Sequence, residues 1–162
     1  MKIVMGIIPC KDRMFLDRAL LLVKSGIEEL AALSDGEYSY YDTVAELYAG
    51  IKQIAIIYTI QEEMPEDREQ FTVITRLMSP AYQEGYAGFS IIEFQRNSLH
   101  VFQGYLLPQF RNTGILKQCA EKTEKQARLV GAPYLSLCTA IDEPMLTHFG
   151  YKKTYITYRK KL

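Results

Sequence analysis

The stretch "LLPQFRNTGILK", residues 106–117, decides how the rest of the chain is read. Residues of β type run into Pro108. An arginine, two small polar residues and Gly114 come next, and then a helical pattern begins. A basic side chain, a flexible turn and a helix start in a row are the parts of an anion site. The unpaired N–H groups and positive dipole end of a helix N-terminus bind phosphate. A plain strand-to-helix connection with an ordinary turn glycine carries the same letters, so the surroundings must choose between them.

Upstream, "KIVMGII" (2–8) is a short apolar run ended by Pro9 and reads as a strand. Residues 13–33 place Phe15, Ala19, Leu22, Leu30 and Leu33 at helical spacing, as one helix with a possible break at Gly26. "SDGEYSYYD" is expected to be a loop, with Asp42 as the N-cap of a second helix over 43–53. Four β-rich runs come after it: 54–60, "FTVITRLM" (71–78), 88–95 and 98–107, the last two joined by the tight turn Arg96–Asn97. Short connections of this kind join antiparallel neighbours.

Downstream, residues 115–130 form a helix with Ile115, Cys119, Ala120, Ala127 and Val130 on its apolar face. Lys117–Glu121, Glu121–Lys125 and Glu124–Arg128 are spaced as i,i+4 ion pairs. Gly131 and Pro133 stop it. A strand over 134–138, a short helix through Pro144 to Gly150 and a strand over 151–160 complete the order. The fold class is therefore α/β (α+β), a mixed, largely antiparallel sheet flanked by helices, in a single domain over 1–162.

Lys+Arg and Asp+Glu both total 19, which argues against a broad nucleic-acid surface, since that needs a basic field. Three cysteines (Cys10, Cys119, Cys138) without a CxxC pair, and two histidines, give no zinc pattern, so no metal is expected. An odd number of widely spaced cysteines fits reduced thiols in a cytoplasmic protein. No apolar run reaches the length of a membrane span, so no membrane partner is expected.

This order, with the residues at its two turning points, resembles the GNAT superfamily of acetyl-CoA-dependent N-acetyltransferases. The family's cofactor loop commonly reads V-x-P-x-x-R-G-x-G-x-G between a strand and a long helix. Pro108, Arg111 and Gly114 fall in that register. Phe149-Gly150-Tyr151 matches the family's Leu/Phe-Gly-Phe step before the last strands. The resemblance implies acetyl-CoA as co-substrate and an amine, small-molecule or protein, as acceptor. The pyrophosphate would lie on Arg111 and the N–H groups of Asn112, Thr113, Gly114, Ile115 and Leu116. The pantetheine amides would pair with the strand end at Leu106 and Leu107, as an added β-strand does.

Three positions depart from the family. Asn112 replaces a glycine, although Asn tolerates left-handed backbone angles. Leu116 replaces a small residue and would crowd the phosphate path. Leu146 stands where the family often has a tyrosine that protonates the departing thiolate. A catalytically impaired GNAT fold acting as a binding or structural protein is therefore the alternative reading.

Amine acetylation needs a base, and Glu93 and His100 lie on the central strands where the family places one. A solvated sheet position for Glu93 and a half-buried, satisfied one for His100 are the structural alternatives. Tyr38, Tyr40 and Tyr41 form either an aromatic wall to the acceptor site or a loop anchored by packed rings. Cys138 could carry an acyl group, but core packing explains it too. Lys152, Lys153, Arg159, Lys160 and Lys161 form a basic C-terminal cluster. An apolar sheet edge could support a homodimer.

Overall fold

The computed structural model describes residues 1–34, 38–137, 147–148 and 150–152. Cys138, Leu146, Phe149, the final strand and most of the basic cluster lie outside the described residues. The order is β1 (Lys2–Ile7), α1 (Arg13–Leu33), α2 (Tyr40–Tyr48), β2 (Gln53–Ile60), α3 (Glu66–Met78), β3 (Tyr86–Gln95), β4 (Ser98–Leu106), α4 (Ile115–Leu129) and β5 (Tyr134–Leu137). The sheet runs β1-β2-β3-β4-β5, antiparallel throughout except for the parallel pair β4–β5. This is the mixed α/β class that the sequence implies.

Alternation along the strands sends side chains to two layers. Val4, Ile54, Ile56, Tyr58, Phe89, Ile91 and Tyr105 pack with α1, whose Leu16, Ala19, Val23 and Ile27 are buried. On the opposite face Ile3, Ile57 and Ala87 meet Ile115 of α4, and Ile92 and Leu99 meet its Ala127. Helix α1 is unbroken at Gly26. A Cβ there would stand 2.7 Å from the Phe89 ring, so the glycine lets the helix approach the sheet.

The sequence reading needs correction at 71–78. These residues are the second half of α3, not a strand. Their β-branched content suits a strand, but Val73 and Leu77, four apart, are the buried pair, and Phe71 is 73% exposed. Glu66, Asp67 and Glu69 in the first turn and Arg76 in the last complement the helix dipole. Helix α3 covers the free edge of β1: Gln70 accepts from Ile7 N–H at 2.9 Å and donates to Ile7 C=O at 2.5 Å. Arg18 of α1 donates to the Leu77 and Ser79 carbonyls, at 3.2 and 3.1 Å, beyond the end of α3.

Smaller differences lie in the other helices. Helix α2 covers 40–48 rather than 43–53, so Tyr40 and Tyr41 are helical. Its N-cap is Ser39, which accepts from Asp42 N–H at 3.0 Å and donates to the Asp42 carboxylate at 2.6 Å. In α4, Val130 is 47% exposed, so it does not belong to the apolar face, whereas Thr123 is buried. Lys125 reaches across to Glu66 of α3 rather than along its own helix to Glu121. Lys122 pairs with Glu69 at 2.5 Å, so two lysines of α4 hold the acidic start of α3.

Candidate functional site

The site begins past Val101, at the end of the described β4–β5 pairing. Strands β4 and β5 pair from Ser98–Tyr134 to Val101–Leu137, and no later pair exists among the described residues. The next residue of β4, Phe102, is a bulge: Ile91 faces Gln103 and Ile92 faces Val101, so Phe102 has no partner on β3. An extra residue bends its strand and re-aims the residues beyond it. The bulge therefore falls one residue past the last β4–β5 pair among the described residues. Beyond it, β3 and β4 stay in close contact. A Cβ on Gly88, opposite Leu106, would come within 2.0 Å of the Tyr105 carbonyl oxygen, which only glycine permits.

Past the bulge, Leu107 N–H still donates to the Ala87 carbonyl, at 2.9 Å. Alternation then turns the peptide groups of Gly104 and Leu106 away from β3. A single 3₁₀ turn, Pro108–Phe110, leads to Arg111 and into α4. Asn112 has φ 61° and Gly114 φ 81°, so both residues adopt left-handed geometry. The Asn112 backbone is thus the one its side chain tolerates. No side chain caps α4. Its first N–H groups, which a helix leaves without internal partners, are presented by a loop whose Arg111, Asn112, Thr113 and Gly114 are all exposed. A cleft of about 610 Å³ opens beside Gly114 and Lys117, walled by Lys2, Glu66 and Glu69.

The structure brings the predicted cofactor residues together on one corner, in different roles. Ile115 is fully buried and packs on the sheet. Leu116 is 38% exposed on the first turn, at the position where it would border a phosphate. Thr113 donates its hydroxyl to the Phe110 carbonyl at 2.7 Å. Arg111 folds back: Nε donates to the Leu106 carbonyl at 3.0 Å and Nη2 to Glu29 of α1 at 3.3 Å. The other oxygen of Glu29 accepts from the Tyr105 hydroxyl at 2.6 Å. That phenol, and then Arg111, hold the Glu29 carboxyl below its ordinary value. Nη1 of Arg111 makes no protein hydrogen bond among the described residues.

Glu93 and His100 are direct partners across β3–β4, and His100 in turn faces Ser136 across β4–β5. His100 Nδ1 and Ser136 Oγ lie 2.9 Å apart. Burial pushes the His100 pKa down and the nearby Lys52 charge adds to this, while Glu93 opposes it. Lys52 is itself 4% exposed, ion-paired to Glu46 at 2.5 Å, and 3.0 Å from the centre of the Phe102 ring. Tyr38 meets Phe102 edge-on at 4.8 Å, so its ring is packed against the bulge. Gln103, also buried, has neither amide atom hydrogen-bonded.

Sequence reasoning missed Glu29, Tyr105, Ser136 and Lys52. Glu29 and Tyr105 are 76 residues apart, and only the packing of α1 on the sheet joins them. Ser136 could be matched to His100 only once the parallel register was known. Burial raises the Cys119 thiol to about 12, and Cys10 is likewise raised by burial. Both behave as packing residues, as the sequence suggested.

No protein-family model matches the chain, and no curated protein matches it by sequence. Solved structures do match. A ribosomal-protein-alanine N-acetyltransferase from Brucella melitensis biovar Abortus shares 10% identity at TM-score 0.58, with 99% of this chain and 100% of that one covered. An aminoglycoside antibiotic 6′-N-acetyltransferase from Acinetobacter baumannii shares 13% at TM-score 0.53, with 99% of each chain covered. The aminoglycoside acetyltransferase AAC(6′)-Iy, solved with a CoA-linked bisubstrate analogue, shares 16% at TM-score 0.52, with 100% of each covered. The chain has the GNAT fold.

Proposed function

We propose that the chain is a single-domain, acetyl-CoA-dependent acetyltransferase acting on an amine. One observation carries the reading. The outward peptide groups at the end of β4 and the uncapped start of α4 are joined by one short loop, 107–114. The first offers peptide groups to the amides of a pantetheine arm, the second N–H groups and a dipole to a pyrophosphate. Arg111 supplies charge through Nη1. CoA-bound neighbours of the same fold support acetyl-CoA as the co-substrate. The neighbours are named for an aminoglycoside and for a ribosomal-protein alanine, so both small-molecule and protein amines fit as acceptors.

In this reading the acceptor enters on the α1 side of the sheet, along Tyr38 and Phe102. His100, held neutral by burial, takes a proton from the amine, and Glu93 beside it stabilises the imidazolium that forms. The amine nitrogen bonds to the acetyl carbon, the C–S bond breaks, and the thiolate leaves. A thiolate departs without an acid at a modest cost near neutral pH, because thiol pKa values lie within about two units of it.

Calorimetric titration with acetyl-CoA and with CoA tests the reading, paired with release of thiol in the presence of a primary amine. Arg111→Ala removes one charge-assisted contact, worth roughly 1.5–3 kcal/mol, so the dissociation constant should rise about tenfold or more. Gly114→Val acts differently. No protein atom lies within 4 Å of a Cβ there, but φ 81° strains a branched residue and the side chain fills the ligand's approach. Wild-type CoA affinity in both folded variants would place the cofactor elsewhere.

A further inference from the structure

Glu93, His100 and Ser136 lie in one row across three adjacent strands, each the direct partner of the next. The row is the last but one of the β4–β5 pairs among the described residues. His100 is half-buried, and of its two ring nitrogens the one nearer the backbone, Nδ1, is committed to Ser136 at 2.9 Å. The distal nitrogen, Nε2, is what the ring presents to the layer above the sheet. There the Phe102 ring stands 6.5 Å away, with Tyr38 against it. A neutral imidazole is a base at one nitrogen only, and the hydrogen bond made by the other decides which one.

We propose that Ser136 is a positioning residue for proton transfer: its Oγ accepts the Nδ1–H of His100 and so holds the ring in the tautomer whose Nε2 is free to take the amine proton. This rests on the acetyltransferase reading above. The charged groups around the ring fit the role. Glu93 on β3 faces it and stabilises the charge gained, while Lys52, at the start of β2 and paired to Glu46, disfavours protonation before substrate arrives. As the proton reaches Nε2, the nitrogen–carbon bond forms, the carbon–sulfur bond breaks, and the thiolate keeps the electron pair and is later protonated by solvent. Without Ser136 the side chain reverts toward the Nε2–H tautomer that free histidine prefers in water, and this form cannot accept the proton at that position.

The chain has two histidines, so ¹⁵N spectra of the ring nitrogens resolve His100 with His148 as internal reference. Wild type, Ser136→Ala and Ser136→Thr are compared, with turnover followed as thiol released from acetyl-CoA in the presence of butylamine. The expected wild-type spectrum shows Nδ1 protonated and Nε2 bare. Ser136→Ala should shift the ring to Nε2–H and lower kcat about two- to tenfold, the population change one neutral hydrogen bond commands, with KM for acetyl-CoA unchanged. Ser136→Thr keeps the acceptor oxygen and should restore both.

A wild-type ring already protonated at Nε2, or a tautomer unmoved by Ser136→Ala, overturns the proposal. So does a shifted tautomer with undiminished kcat. A wild type that neither binds acetyl-CoA nor releases thiol breaks the acetyltransferase reading itself, and that result is separate from the spectrum.

Discussion

The two sides of the sheet meet the same problem and answer it oppositely. A strand edge leaves N–H and C=O groups unpaired, and such an edge invites another chain. At β1 the molecule closes its own edge. Helix α3 lies along the strand, and the Gln70 side chain takes both the N–H and the C=O of Ile7, as a neighbouring strand would. Ion pairs to Lys122 and Lys125 and the Arg18 contacts hold that helix in place. At β4 the strand bulges at Phe102, and past Val101 one contact on its outer carbonyls exists among the described residues, from Arg111 to Leu106. Among the described residues one edge is covered by a helix and the other is left open past Val101. Side-chain chemistry, not strand length, makes the difference.

The largest effect should come from Gly88, where β3 and β4 are pressed together past the bulge. Gly88→Ala puts a Cβ 2.0 Å from the Tyr105 backbone oxygen, which no side-chain rotation relieves. Overpacking of this kind costs about 1–3 kcal/mol, and a clash with backbone belongs at the upper end. Urea unfolding should show it as a lower midpoint. A stability loss below about 0.5 kcal/mol, the usual range for surface changes, would mean that the strands are not held this closely.

Gln70→Ala tests the sealed edge. It removes two hydrogen bonds to Ile7 and leaves that peptide's groups to find water at a strand edge. The expected cost is about 1–2 kcal/mol, since each net hydrogen bond contributes roughly 0.5–1.5 kcal/mol. Affinity for CoA should not change, because Gln70 holds Ile7 at the opposite end of β1 from Lys2, beside which α4 begins. A variant with unchanged stability but weaker CoA binding would reverse the assignment of the two edges.

The open edge was legible in the sequence, and the sealed one was not. Pro108, Arg111 and Gly114 mark the loop through chain-local rules: a residue that ends a strand, a basic side chain, and a backbone position suited to glycine. The structure has Ile115 opening α4 as those residues imply. Helix α3 was hidden because its Phe71, Val73, Ile74 and Thr75 carry strand propensity, and the helical signal is only the four-residue step from Val73 to Leu77. Tertiary packing overrides propensity in such a segment. The long-range partners of the site, Glu29 to Arg111 and Ser136 to His100, depend on which elements become neighbours, and no spacing in the chain encodes that. Conversely, the tyrosines of "YSYYD" were legible as a group but not as helix, because Ser39 caps three residues ahead of the aspartate that a cap search selects.

The smallest expected effect separates the two edges by pH. The sealed edge is held by Gln70, Glu66, Glu69, Arg18 and two lysines, with no histidine among them. The open side carries His100, whose folded-state pKa lies below its ordinary 6.5, chiefly through burial. Linkage sets the sign. Above 6.5 the folded and unfolded states are both neutral at this residue, and its contribution to stability is fully present. As the pH falls below 6.5, the unfolded chain takes up a proton that the folded chain refuses. Stability is therefore lost until the folded-state pKa is passed, and then levels off. Denaturant midpoints across this range should decline in the wild type and decline less in His100→Gln, which keeps a hydrogen-bonding group opposite Ser136. Hydrogen exchange, corrected for the intrinsic pH dependence of the rate, should show β4–β5 losing protection before β1 does as the solution is acidified. Parallel loss at both edges, or a midpoint curve unchanged by His100→Gln, would show that His100 is not the residue by which acid distinguishes the open side from the sealed one.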